Sequence, residues 1–275
     1  MNGRNFLAPN SMKPALILLN GYYDLRHLEF YKQQLTWGLT NNYPLICADG
    51  GIRLFHSLNQ IYNDTQFLPN VLIGDLDSFE ETSTTEDIKR LEASGTHIVR
   101  EWVGQVDKDY TDGQLAVAYA IEECECQRII IYGGLPRPHE YETDHFLGNL
   151  KLSAFGFRQF SDRCASVETR HHPLAYEAEM RDVFQTIHFV VSELRLERKN
   201  DGLQRVSLIA EHANVFVERS ENLRWDVSGL RIDPDMAPDL PSTLRNEFVA
   251  GADWATIFLA KASNPVYVFH NWYEM

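Results

Sequence analysis

A doubly wound, mostly parallel α/β domain followed by a small antiparallel β-sandwich is the fold class this sequence predicts, on two observations. Through the first half, short apolar runs alternate with stretches of helical periodicity, the pattern of strand-helix-strand units. From Thr186 onward, short β-type runs follow one another with only turns between them. The expected organisation is a loose leader over 1–13, an α/β domain over 14–185 and a β-sandwich domain over 186–275.

Pro14 to Asn20 is a continuous apolar run closed by Asn20-Gly21, which reads as a buried strand ending in a turn. Leu28 to Leu39 reads as a helix. Leu45 to Ala48 is a second strand stopped by Asp49-Gly50-Gly51, and Ile52, Leu54, Phe55 and Leu58 mark one face of a helix after it. Val71 to Ile73 is a third strand ending at Gly74-Asp75. A helix over Glu86 to Ala93, a short strand over His97 to Val99 and a helix over Asp112 to Glu123 follow. Arg128 to Tyr132 is the next strand and runs into Gly133-Gly134. Lys151 to Gln185 reads as helix and then connection, broken at His171-His172-Pro173. In the second half Ile187 to Val191, Val206 to Ile209, Val215 to Val217, Ile257 to Ala260 and Val266 to Phe269 are the expected strands.

A chain of 275 residues that is 44 % hydrophobic can bury a substantial core. Its formal net charge of −14 argues against nucleic-acid or anionic-membrane binding, both of which need a basic face. No apolar stretch approaches the roughly 20 residues that span a bilayer, and residues 1–13 lack a signal core. Cys47, Cys124, Cys126 and Cys164 form no CxxC pair. Cys124 and Cys126 with His171 and His172 match no common structural zinc spacing. A reducing, cytoplasmic location is the expectation.

Four acidic segments carry the functional reading. In an open α/β sheet, ligands bind beyond the carboxyl ends of the strands, where Asp49 and Asp75 fall. Asp75 and Asp77, at i and i+2, can face the same way, and paired carboxylates invite a cation. Mg²⁺ suits hard oxygens, although a polar turn explains the pair equally well. Asp49 precedes two glycines, Gly50 and Gly51, and a helix start, an arrangement suited to an anion but common at strand ends. Asp109, Thr111 and Asp112 open a helix. Capping accounts for one of these acids, not for the whole cluster with Lys108. Asp144-His145 is the fourth segment. Trp225 sits in the β domain, where tryptophan is ordinarily core.

Taken in order, LNG (19 to 21), ADGG (48 to 51), GDLDS (74 to 78), KDYTD (108 to 112), YGGL (132 to 135) and DHFLGNL (144 to 150) resemble the thiamine pyrophosphokinase family. VSLI (206 to 209), LRWDV (223 to 227) and RNEF (245 to 248) are similar to parts of that family's β-sandwich. The resemblance implies transfer of pyrophosphate from ATP to the hydroxyl of thiamine, giving thiamine diphosphate and AMP, with Mg²⁺ as cofactor and a homodimer as the assembly. It implies a catalytic group of Asp49, Asp75, Asp77, Asp109 and Asp112, with Mg²⁺ on Asp75, Asp77 and Asp112. It implies ATP or phosphate contacts from Asn20, Gly50, Gly51, Lys108, Thr111, Arg137, Asp144 and His145. Trp225, Ser242 and Asn246 fall where the family lines its thiamine pocket, and an acidic pocket with an aromatic face suits a thiazolium cation.

The chain departs from the family pattern in two places. The family follows GG and one small residue with GGR, an apolar residue and DH. Here Gly133-Gly134-Leu135 runs through a longer segment with two prolines before Asp144-His145, and Arg137 alone could stand in for the family's arginine. Arg245 replaces a small residue before Asn246. These changes leave two alternatives open: a diphosphotransferase acting on another alcohol, such as a pterin, and a catalytically silent nucleotide- or thiamine-binding relative.

Overall fold

The structure is a computed structural model that describes residues 12–63, 67–76, 85–100, 110–135, 143–166, 176–234 and 243–272. The chain divides into two compact units, Met1–Tyr176 and Glu177–Met275.

The first unit is built on five parallel strands: β1 (Pro14–Leu18), β2 (Leu45–Ala48), β3 (Val71–Ile73), β4 (His97–Val99) and β5 (Arg128–Tyr132). They lie in the order β5, β1, β2, β3, β4, and every adjacent pair is parallel. Strands covered on both faces need apolar side chains at every position, and β1 supplies them: Leu16, Ile17 and Leu18 have no exposed surface. Each such side chain contributes about 1.5–3 kcal/mol of burial free energy. The chain steps outward from β1 to β4 and then returns to the other side of β1 as β5. This reversal is a topological switch point, and the loops leaving β1 and β5 part on either side of it.

The helices of this unit are α1 (Leu28–Thr40), α2 (Arg53–Tyr62), α3 (Thr85–Ala93), α4 (Asp112–Glu122), α5 (Thr143–Leu150) and α6 (Leu152–Ser166). α2 stops at Asn63, which adopts a left-handed conformation (φ 48°) and closes the helix through its backbone N–H to Asn59 O. α4 begins with a capping box. Thr111 Oγ1 accepts from Gln114 N–H and Gln114 Oε1 accepts from Thr111 N–H, at 3.3 and 2.9 Å. Its Ala116, Val117, Ala120 and Ile121 are fully buried. Arg163 of α6 closes the other end of α4 by donating to the Ile121 carbonyl and to Glu125.

The second unit is a β-sandwich of two antiparallel sheets. One holds β12 (Thr243–Glu247), β9 (Gln204–Ala210), β14 (Val266–Trp272), β7 (Gln185–Val190) and β6 (Glu177–Arg181), in that order. The other holds β11 (Arg231–Ile232), β10 (Val215–Glu221), β13 (Trp254–Leu259) and β8 (Glu193–Glu197). Val206, Leu208, Val266 and Val268 from the first sheet and Val215, Val217, Ala255 and Ile257 from the second fill the core between them. All five strands expected here are present. Four more, β6, β8, β11 and β12, are short or charge-rich and show no apolar run. In β6 the buried Glu179 is tolerated because Arg181 Nη2 lies 2.8 Å and His188 Nδ1 3.6 Å from its carboxylate.

No helix among the described residues is long and apolar enough to cross a membrane. All four cysteines are free thiols.

Candidate functional site

At the carboxyl edge of the five-stranded sheet, glycines let the strand ends close on one another. A Cβ on Gly21, after β1, would stand 1.8 Å from the Gly133 carbonyl oxygen after β5. A Cβ on Gly50 would meet Asn20 Oδ1 at 2.3 Å, and one on Gly51 the Leu18 carbonyl oxygen at 2.1 Å. The space freed by Gly50 and Gly51 is therefore filled by the chain itself, and both residues are buried. Asp49 before them is 3 % exposed, with a left-handed φ of 44° that aspartate tolerates. Tyr23 locks the same junction by donating its hydroxyl to the Leu19 carbonyl at 2.7 Å.

The second acidic segment meets the third through Gly74. Its φ of 133° is open to glycine, and a Cβ there would lie 2.6 Å from Asp112 Oδ1. The Asp112 carboxylate thus rests against the backbone one residue before Asp75, whose side chain is exposed at the end of β3. Leu76 follows, fully buried in a left-handed turn (φ 64°), anchoring the chain while Asp75 faces solvent. Thr111 is the N-cap of α4. Gly113 brings that helix start against Leu19, where an added Cβ would lie 3.3 Å from Leu19 Cδ2.

Asp144 and His145 lie on the first turn of α5 and are exposed. The same helix is tied to the end of β5 by Asn149 Nδ2, which donates to the Gly134 carbonyl at 3.2 Å. Asp77, Lys108, Asp109, Arg137 and Ser242 lie outside the described residues. Among the described residues no group of three His, Cys, Asp or Glu side chains could hold a metal ion. Of the expected ligands, Asp112 lies against Gly74, the residue before Asp75, so these two carboxylates belong to neighbouring backbone segments. That pair suits Mg²⁺, which takes hard oxygen ligands and is commonly held by one or two carboxylates together with substrate phosphates.

Sequence reasoning missed a cleft of about 540 Å³ beside Gly21, between the segment Tyr22 to Arg26 and Arg53, Leu54 and Ser57 of α2. Its rim carries Asp24, whose carboxylate takes both Nε and Nη2 of Arg26, at 2.9 and 2.7 Å. That hydrogen bonding holds the Asp24 carboxyl below the usual carboxylate range. No motif marks the cleft, because its two sides are separated in sequence by the whole of α1 and β2.

In the second unit, Trp225 and Asn246 come together. Leu223 bridges Phe248 in antiparallel fashion, and Arg224 N–H donates to the Glu247 carbonyl at 2.8 Å. Asn246 is 2 % exposed. Its Oδ1 accepts from the N–H groups of Trp225 (3.2 Å) and Glu247 (2.9 Å), and its Nδ2 donates to the Trp225 carbonyl (2.7 Å). The Trp225 side chain is not core: the residue is 53 % exposed. Arg245 is exposed on β12, across from Ser207.

Residues 38–161 match the family model described as the thiamin pyrophosphokinase catalytic domain. The match lies within the α/β unit, which therefore resembles a thiamin pyrophosphokinase catalytic domain over those residues. Three solved structures place the fold in the same company. Thiamine pyrophosphokinase from Bacillus subtilis is 18 % identical at a TM-score of 0.62, over 94 % of this chain and 99 % of that one. A thiamin pyrophosphokinase family protein from Enterococcus faecalis is 15 % identical at 0.60, over 95 % and 100 %. Thiamin pyrophosphokinase from Geobacillus thermodenitrificans is 17 % identical at 0.59, over 95 % and 98 %. No curated protein matches the sequence. The likeness to the three structures is one of fold: a parallel α/β sheet with a separate antiparallel sheet, as the sequence predicts.

Proposed function

We propose that this protein transfers the pyrophosphoryl group of ATP to the hydroxyl of thiamine, releasing thiamine diphosphate and AMP. The observation that carries the reading is the Asp112 carboxylate lying against Gly74, beside Asp75, at the strand edge of a unit that resembles a thiamin pyrophosphokinase catalytic domain. Phosphoryl-type transfer depends on positioning and charge neutralisation more than on covalent help. Asp75 and Asp112 are the residues we assign to Mg²⁺, with Asp77 completing the set. The ion, when bound, neutralises charge on the triphosphate. Asp49, being buried, is assigned to orienting the strand-end loop, with Asn20 packed on Gly50 beside it. Lys108, Asp109, Thr111, Arg137, Asp144 and His145 are assigned to the phosphate side of the same centre on their sequence matches.

The cleft between Tyr22 and Ser57 has the volume of a small-ligand recess, and we assign it to the nucleoside of ATP. Trp225 offers an exposed aromatic face suited to the thiazolium cation, held in place by Asn246. The family resemblance leads us to propose a homodimer, which sedimentation velocity tests directly. The reaction is tested by incubating the purified protein with ATP, Mg²⁺ and thiamine, following AMP by chromatography and thiamine diphosphate by its fluorescent oxidation product. Both products should appear together. A folded protein that binds ATP and yields neither overturns the proposal.

A further inference from the structure

The exposed ring of Trp225 already carries a cation from its own chain. The guanidinium carbon of Arg224 lies 4.9 Å from the ring centroid, and the same guanidinium forms an ion pair with Glu247. The Arg224 side chain is 61 % exposed and the Glu247 side chain 18 %, so the carboxylate is mostly covered while the arginine stands in solvent with room to swing out. The backbone beneath cannot follow, because Asn246 binds both polar groups of the Trp225 peptide.

Other arginines of this unit stack on rings, at 4.6 Å for Arg195 on Trp254 and 4.1 Å for Arg219 on Phe258. Those rings belong to β13 and are only partly exposed. Trp225 differs in standing outside any strand, more than half exposed, with a carboxylate next to it and a buried amide clamping its backbone. A ring that attracts a cation through its negative face, with a nearby acid as counter-ion, is a recognition surface for a planar organic cation.

We infer that Arg224 is a built-in occupant of this surface: its guanidinium holds the place of a planar organic cation and has to leave before one can stack on Trp225, so Arg224 tunes affinity at the ring. The inference rests on the reading of Trp225 as the platform for thiamine. An incoming thiazolium replaces both contacts of the guanidinium, the ring face and the Glu247 carboxylate. A neutral ring replaces only the first, and leaves Glu247 without its partner. Arg224 thereby selects for charge as well as shape.

Calorimetric titration of thiamine into the full-length protein tests this with three variants. Removing the self-stacked cation with Arg224→Gln should tighten thiamine binding roughly two- to five-fold, the equivalent of one exposed cation–π contact. Glu247→Gln should weaken it, and Trp225→Ala should weaken it further. An unchanged thermal midpoint for Arg224→Gln separates removal of a competitor from a change in folding. If Arg224→Gln binds thiamine as well as or less well than the unsubstituted chain while Trp225→Ala still weakens binding, Arg224 is not a competitor and the inference falls alone. If Trp225→Ala matches the unsubstituted chain, or that chain binds no thiamine, the platform reading falls and this inference with it.

Discussion

His270 should make the β-sandwich acid-sensitive, and the size of the effect follows from its surroundings. The imidazole has no exposed surface and is stacked on Phe248, with ring centroids 5.3 Å apart. Its Nε2 lies 3.1 Å from Gln204 Oε1. That oxygen accepts from Lys199 N–H, while Gln204 Nε2 donates to Asn200 Oδ1, so the imidazole is the donor and is neutral with its proton on Nε2. Nδ1 has no hydrogen-bond partner. Burial, together with the positive charges of His188, Lys199 and Arg198, pushes the His270 pKa from 6.5 to about 3. Above pH 6.5 neither the folded nor the unfolded chain protonates this group and it has no effect on stability. Below it the unfolded chain takes up a proton that the folded one refuses, and stability falls by about 1.4 kcal/mol per pH unit down to about pH 3. The loss from this residue is about 2 kcal/mol at pH 5, a sizeable part of the 5–15 kcal/mol typical of a domain. Urea unfolding followed by circular dichroism at pH 7.5 and pH 5.0 measures it. His270→Phe loses the hydrogen bond to Gln204, about 1 kcal/mol at pH 7.5, but should lose much less further stability on acidification than the unsubstituted chain. Equal pH dependence in the two proteins would refute the burial argument.

Four further outcomes follow from the site. Asp112→Asn keeps the fold but removes one carboxylate beside Gly74, and AMP production from ATP, Mg²⁺ and thiamine should drop by about 100-fold or more. Gly74→Ala places a Cβ where Asp112 Oδ1 now lies and forces a residue into φ 133°. It should lower turnover comparably and reduce the thermal midpoint as well. Gly21→Ala drives a Cβ into the Gly133 backbone, which cannot yield as a side chain can, so soluble expression and cooperative unfolding should both be lost. Ser57→Phe fills the cleft beside α2 and should raise the KM for ATP while leaving that for thiamine unchanged. Equal changes in both would remove the nucleoside from that cleft.

Much of the first unit was legible because its strands are buried on both faces and therefore read as unbroken apolar runs. β1, β2, β3 and β5 fall where PALIL, LICA, VLI and RIIIY place them. β6 and β8 carry no unbroken apolar run, yet EAEMR and ELRLE alternate charged with apolar residues, a readable pattern of half-buried strands. What the pattern does not show is that the buried Glu179 is met by Arg181 of its own strand and by His188 of β7. In the candidate site, the resemblance assigned Asp75 and Asp112 to one metal set and Trp225 and Asn246 to one pocket. That Asp112 lies against Gly74 and that Asn246 binds the Trp225 backbone follows from the fold and not from spacing. The T-x-x-Q signature of the Thr111 capping box was readable and overlooked. The exposure of Trp225 was not readable: tryptophan in a sandwich is usually core, and only the pairing of 223–225 with 246–248 turns this ring outward.

The fastening of β5 gives the chain a place where it can be rewritten. Gly133 is pressed against Gly21 on one side, and Asn149 grips the Gly134 carbonyl on the other. Both ends of the 136–142 stretch are thus moored independently of what the stretch contains. A relative's version of this segment, shorter or longer, is expected to be accepted between the two moorings. Loop chimeras at this point therefore vary Arg137 and its neighbours while the Asp75 and Asp112 segments stay in register.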